Sequence, residues 1–138
     1  MKSLLIIAHG SRRGSSNQEV IDLAKQLQKS LQDQYAVVTT AFLELAEPSI
    51  YAGLNACVKL GATEITVLPY FLAAGRHVIE DVPSEVNRFR EETPEITIEI
   101  LQHIGAMPTI LDVMFTMATQ TSLSSAGQAD KETRAIKG

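Results

Sequence analysis

The run Leu4-Leu5-Ile6-Ile7-Ala8-His9-Gly10-Ser11-Arg12-Arg13-Gly14 opens on apolar residues and closes in a turn of glycine, serine and arginine. A continuous apolar run of strand length suits a strand buried on both faces, and such strands belong to parallel sheets. A second run repeats the layout. Ile65-Thr66-Val67-Leu68-Pro69 passes through Tyr70-Phe71-Leu72-Ala73-Ala74 into Gly75-Arg76-His77. In a parallel sheet both turns open at the carboxyl edge, where open α/β folds bind their ligands.

Outward from these runs, strand and helix patterns alternate. Val20, Leu23, Ala24, Leu27 and Leu31 recur at helical spacing, which predicts a helix capped by Ser16 or Asn17 and reaching about Gln34. Ala36 to Leu43 is rich in β-branched residues and reads as the second strand. Pro48 suits the first turn of a helix carrying Ile50, Leu54, Ala56 and Leu60, with Gly61 as its stop. Glu64 to Tyr70 is the third strand. A helix from about His77 to Glu92, interrupted or restarted at Pro83, precedes a fourth strand at Ile96 to Leu101. Pro108 opens a last helix reaching about Thr121. The predicted domain spans residues 1–121, and residues 122–138, polar and small, are expected to form a disordered tail.

Four β-α pairs with short connections imply a single three-layer α/β domain, a four-stranded parallel sheet with helices on both faces. The flavodoxin-like order 2-1-3-4 makes strands 1 and 3 neighbours and brings His9 beside His77. In the last helix Ile110, Leu111, Val113, Met114, Phe115, Met117 and Ala118 leave little polar surface. Such a helix needs cover beyond one sheet face, from a partner subunit or from an enclosing core.

At 138 residues and 45% hydrophobic content the chain can bury a sizeable core. A net charge of −4 speaks against a nucleic-acid partner, which needs a basic footprint. With 5% aromatic residues and no tryptophan, a ligand with flat faces would be gripped by aliphatic side chains. The single cysteine, Cys57, cannot form an internal disulfide and lies on an apolar helix face, which implies a buried thiol in a reducing compartment. No apolar run reaches membrane-spanning length, and Met1-Lys2 leads into a strand rather than a signal sequence. The expected setting is the cytoplasm, with no membrane partner.

The chemistry concentrates in the two turns. His9, followed by Gly10, stands where glycine permits positive φ or close backbone approach and leaves the ring exposed. Neutral imidazole there serves as metal ligand or base, or simply bonds backbone at a strand end. The His9 to Ser16 stretch, HGSRRGSS, joins strand to helix like a phosphate loop, but lacks both the Walker lysine-serine ending and the dinucleotide glycine spacing. Its arginines match carboxylates equally well. His77 holds the corresponding place after strand 3. Two facing histidines with one carboxylate can hold Zn, Fe, Co or Ni with coordination positions open. Glu44, just past strand 2, is the best-placed third group, with Glu47 and Glu80 in reserve. Glu80 and Asp81 also suit a first helical turn for its dipole. His103, after strand 4, is peripheral.

At these residues the chain resembles the small class II chelatases of tetrapyrrole biosynthesis, the short sirohydrochlorin cobaltochelatase and ferrochelatase group. The matching pieces are LLIIAHGSR (4–12), FLELAEPSI (42–50) and PYFLAAGRHVIEDVP (69–83). The resemblance implies a lyase that inserts Co²⁺ or Fe²⁺ into sirohydrochlorin, for cobalamin or siroheme. His9 and His77 would be the metal-binding and catalytic pair and Glu44 their acidic partner. Ser11, Arg12, Ser15, Ser16 and Arg76 would anchor the substrate's carboxylates. It also implies one half of a two-lobed chelatase, completed as a homodimer, with the metal as substrate and no permanent cofactor. The cysteine-rich extension of iron–sulfur relatives is absent. Gly105-Ala106-Met107-Pro108 has methionine where the family often has histidine, which weakens any claim for a ligand in the fourth turn. A non-enzymatic metal or tetrapyrrole carrier using the same cleft, and a phosphate-ligand domain using the first turn, are the competing functions.

Overall fold

The computed structural model describes residues 1–127; for His77 and residues 121–127 it describes the backbone alone. The chain divides into two compact units, Met1–Ala106 and Met107–Gly138. The first contains a four-stranded parallel sheet of β1 (Lys2–Ala8), β2 (Val37–Phe42), β3 (Glu64–Pro69) and β4 (Thr97–Ile100), in the order β2-β1-β3-β4. This is the order expected from the sequence. Strand β1 is central, and its apolar run from Leu4 to Ala8 is buried throughout.

Successive side chains of β1 point to opposite faces, so one strand serves two cores. Leu5 and Ile7 join Ala41, Ile65, Val67 and Ile98 on one face. Helix α2 (Ile50–Lys59) adds Leu54 and Cys57 there, and α3 (Val82–Glu92) adds Val86 and Phe89. Leu4 and Ile6 join Val38 on the other face, under Ala24, Val20 and Leu27 of α1 (Gly14–Ser30). Helix, sheet and helices make the three layers. Cys57 is buried, as expected, and burial pushes its thiol pKa up.

Register positions the site. Ala8 lies opposite Phe42 of β2, and Ile7 opposite Pro69 of β3. All three strands therefore release their chains at one edge. Beyond β3, a π-helical turn, His77–Asp81, runs into α3, which matches the break expected near Pro83.

Several boundaries differ from the sequence reading. Helix α1 starts at Gly14, because the Arg13 carbonyl already accepts the Ser16 and Asn17 N–H groups. Neither Ser16 nor Asn17 caps it. Pro48 lies ahead of α2, because its carbonyl is held by the Phe42 N–H; Ser49 is the cap, accepting from the Ala52 N–H at 3.2 Å. Gly61 follows the helix with φ 108°, as its stop.

In the second unit, α4 (Thr109–Gly127) runs past Thr121, and residues 128–138 of the expected tail lie outside the described residues. Leu111, Val113, Met114, Phe115 and Met117 of this helix are all exposed. No helix among the described residues is long and apolar enough to cross a membrane.

Candidate functional site

Two backbone hydrogen bonds join the chains just past the ends of β1 and β2. The Leu43 N–H donates to the Ala8 carbonyl at 3.0 Å, and the Glu44 N–H to the His9 carbonyl at 3.1 Å. Beside this seam Gly10 adopts φ 97°, and a Cβ built on it would stand 1.8 Å from the Glu44 carbonyl oxygen. Only glycine permits that approach, the role expected for the residue after His9. The two side chains then meet, with His9 Nε2 2.9 Å from Glu44 Oε2. Their side chains are 52% and 49% exposed, so both remain open to a ligand.

His9 lines a pocket of about 250 Å³ with Gly10, Ser11, Ser16, Asn17 and Tyr70 among its neighbours. The Tyr70 N–H donates to the Ile7 carbonyl at 2.8 Å, which ties the start of the segment after β3 to the end of β1. On the other side of the site Glu44 borders a second concavity of about 220 Å³ with Ser49, Asp81, Ser84 and Glu85. Exposed apolar residues stand beyond the same sheet edge: Leu45 after β2, Tyr70 and Leu72 after β3, and Ile79 in the π-helical turn. Three of these four are aliphatic and one, Tyr70, is aromatic.

Ser11 sits in the turn with its hydroxyl accepting the Arg13 N–H at 3.0 Å. Arg12, Ser15 and Ser16 are exposed around the start of α1. Arg76 is exposed and pairs loosely with Glu80, Nε to Oε1 at 3.9 Å. Glu47 is exposed and stands in neither pocket, so Glu44 is the acidic group that the fold brings to His9. His77 opens the π-helical turn, and its side chain lies outside the described residues. Among the described residues no three His, Cys, Asp or Glu side chains converge to hold a metal.

The sequence reading missed two residues. Asn17, expected as a cap, instead binds Ser11: its Oδ1 accepts the Ser11 N–H at 3.0 Å and its Nδ2 donates to the Ser11 carbonyl at 2.7 Å. Gly105 donates its N–H to the Phe71 carbonyl at 3.0 Å. A Cβ on it would fall 1.6 Å from the Leu72 carbonyl oxygen. The glycine of the Gly105–Pro108 turn was the only signal for the second, and nothing local marked the first.

The CbiX family model matches residues 3–121. The chain belongs to the CbiX family. This CbiX-family chain is 28% identical over 123 residues to the sirohydrochlorin ferrochelatase of Priestia megaterium, covering 89% of itself and 46% of that protein. It is 32% identical over 114 residues to the sirohydrochlorin cobaltochelatase of Sulfolobus acidocaldarius, covering 83% of itself and 87% of that protein. Its fold is similar to that of the sirohydrochlorin chelatase SirB from Bacillus subtilis subspecies spizizenii in complex with cobalt. The TM-score is 0.77 at 31% identity, over 86% of this chain and 50% of that one. The chain spans about half the length of several curated relatives that it matches.

Proposed function

We propose that this protein is a metal chelatase that inserts Co²⁺ or Fe²⁺ into sirohydrochlorin, the metal being a substrate and no permanent cofactor being needed. The observation that carries this reading is the His9–Glu44 contact at the carboxyl edge of the sheet, 2.9 Å long and half-exposed. Exposed ion pairs contribute about 0–1 kcal/mol to stability. This contact is therefore of little use to the fold and is well placed for chemistry. Family membership supports the same reading, and the named relatives supply its substrate.

Insertion requires that a divalent ion lose water, reach one face of the macrocycle and displace two pyrrole protons. In this reading His9 and His77 hold the ion and accept those protons, and Glu44 orients the His9 ring and balances the imidazolium that forms. An open site with few ligands suits the task, because a closed tetrahedral site would keep its ion. Ser11, Arg12, Ser15, Ser16 and Arg76 bind the carboxylates of the tetrapyrrole, while Leu45, Tyr70, Leu72 and Ile79 offer apolar surface to its faces. The cleft is completed by a second copy of the chain. That pairing is supported by the exposed apolar side chains of α4 and by the half-length match to longer relatives. The working compartment is the cytoplasm.

The test mixes purified protein with sirohydrochlorin and Co²⁺ or Fe²⁺ under anaerobic conditions and follows the absorbance change on insertion. Multiple turnovers above the spontaneous rate are expected. Stoichiometric retention of metal or tetrapyrrole without turnover would replace the enzyme by a carrier. Binding that survives His77→Ala unchanged would favour a ligand site in the first turn alone.

A further inference from the structure

We infer that Asn17 is the positioning residue of the His9 turn. His9, Gly10, Ser11 and Arg12 carry the reacting imidazole and part of the anion-binding surface, yet they leave the sheet at Ala8 and do not enter α1 until Gly14. A turn of this kind needs something to hold its outer end. The inner end is held by the seam to β2, through the bond from the Glu44 N–H to the His9 carbonyl. The outer end is held by Asn17, whose carboxamide takes both backbone groups of Ser11, the N–H at 3.0 Å and the carbonyl at 2.7 Å. A carboxamide offers one acceptor and one donor side by side, which is the complement of a single residue's N–H and C=O.

Two further observations give the clamp its direction. Asn17 lines the same pocket as His9, Ser11 and Ser16, so the clamp is a wall of the site. Gly10, between the two held points, is at φ 97° with the Glu44 backbone against it. Released at Ser11, this glycine has wide backbone freedom, and the imidazole would swing away from Glu44. Held there, it keeps His9 Nε2 at 2.9 Å from Glu44 Oε2. Asn17 acts through His9; it need not touch the substrate.

For its activity arm the inference rests on the chelatase reading, so the experiment carries a second arm that does not. Asn17→Ala removes both bonds, and Asn17→Asp keeps the acceptor for the Ser11 N–H. In cobalt insertion Asn17→Ala is expected to lower kcat roughly tenfold or more with the KM for sirohydrochlorin changed less than about threefold. An imidazole must sit within hydrogen-bond reach of its target, whereas long arginine side chains reach carboxylates from a loosened turn. Asn17→Asp is expected to fall between Asn17→Ala and the parent protein. Independently of turnover, nuclear Overhauser contacts between the His9 ring and the Glu44 side chain are expected in the parent protein, where the two stand 2.9 Å apart, and are expected to be lost in Asn17→Ala. If the parent protein does not turn over, the chelatase reading fails and the ring spectrum alone decides the inference. Unchanged His9–Glu44 contacts in Asn17→Ala overturn it, as does a kcat within twofold of the parent in an active enzyme.

Discussion

His9 Nε2 and Glu44 Oε2 stand 2.9 Å apart although they leave different strands, and the pairing of those strands accounts for their meeting. The ladder ends with Ala8 opposite Phe42, and the backbone bonds of Leu43 to Ala8 and Glu44 to His9 hold the two chains together beyond it, so the two side chains emerge together from one edge. Removing either should affect chemistry more than folding. His9→Ala is expected to lower the rate of metal insertion by about 100- to 10,000-fold, the range of a lost general base. Glu44→Gln, which keeps size and a hydrogen-bond partner, should lose less. Urea unfolding should place both variants within about 0.5 kcal/mol of the parent, as for other surface changes.

Gly10→Ala should behave oppositely. The new methyl would meet the Glu44 carbonyl at 1.8 Å, in a backbone conformation that L-residues rarely adopt. A single non-glycine residue held there costs about 1–3 kcal/mol before the clash is counted. Equilibrium unfolding should show at least that loss, and insertion activity should fall with it because the seam itself must part.

Gly105→Ala tests the other side of the edge. Its methyl would stand 1.6 Å from the Leu72 carbonyl oxygen, a backbone atom that can yield only if the segment after β3 moves. Reduced hydrogen-exchange protection of the Gly105 amide, now bonded to Phe71, is the expected signature. Activity should fall as well, since this segment leads to Arg76 and His77.

The buried thiol gives a pH-dependent readout. Burial holds the Cys57 pKa above its unfolded value, about 8.5, so the folded state keeps the proton longer than the unfolded state. The sign follows from linkage: the contribution is fully present below pH 8.5 and declines as the unfolded thiol ionises above it. Native protein at pH 8 should resist thiol reagents, and labelling should appear only as urea unfolds the chain. Rapid labelling of the native protein would contradict the burial.

Helix α4 bears on assembly. Leu111, Val113, Met114, Phe115 and Met117 are exposed, which is more apolar surface than a helix leaves in water without a partner. Sedimentation should give a dimer for the parent protein and a monomer for Phe115→Asp. An unaltered sedimentation coefficient in the variant would remove α4 from the interface.

Fold class and strand order were legible because apolar runs, helical spacing and short connections leave few topologies for a parallel sheet, and the family resemblance pointed to the same one. The buried run of β1 and the Gly61 stop are local facts of chemistry, so local reading found them. Pro48 and Asn17 were misread for a common reason. Each had a suitable local role, at a helix start or cap, but in the fold its polar groups are spent on residues outside that helix: the Pro48 carbonyl on Phe42 of β2, and the Asn17 carboxamide on Ser11 of the preceding turn.

By itself, then, the sequence determined which residues form strands, which faces are apolar, and that histidine, arginine and serine gather in two strand-end turns. Tertiary structure alone decided that Glu44, rather than Glu47 or Glu80, meets His9, that Gly10 is pressed against the Glu44 backbone, and that Asn17 holds the turn between them. Burial and periodicity act on each residue separately and can be read along the chain. Which carboxylate reaches a given imidazole depends on register and on backbone contacts between strands, and those exist only once the sheet has formed.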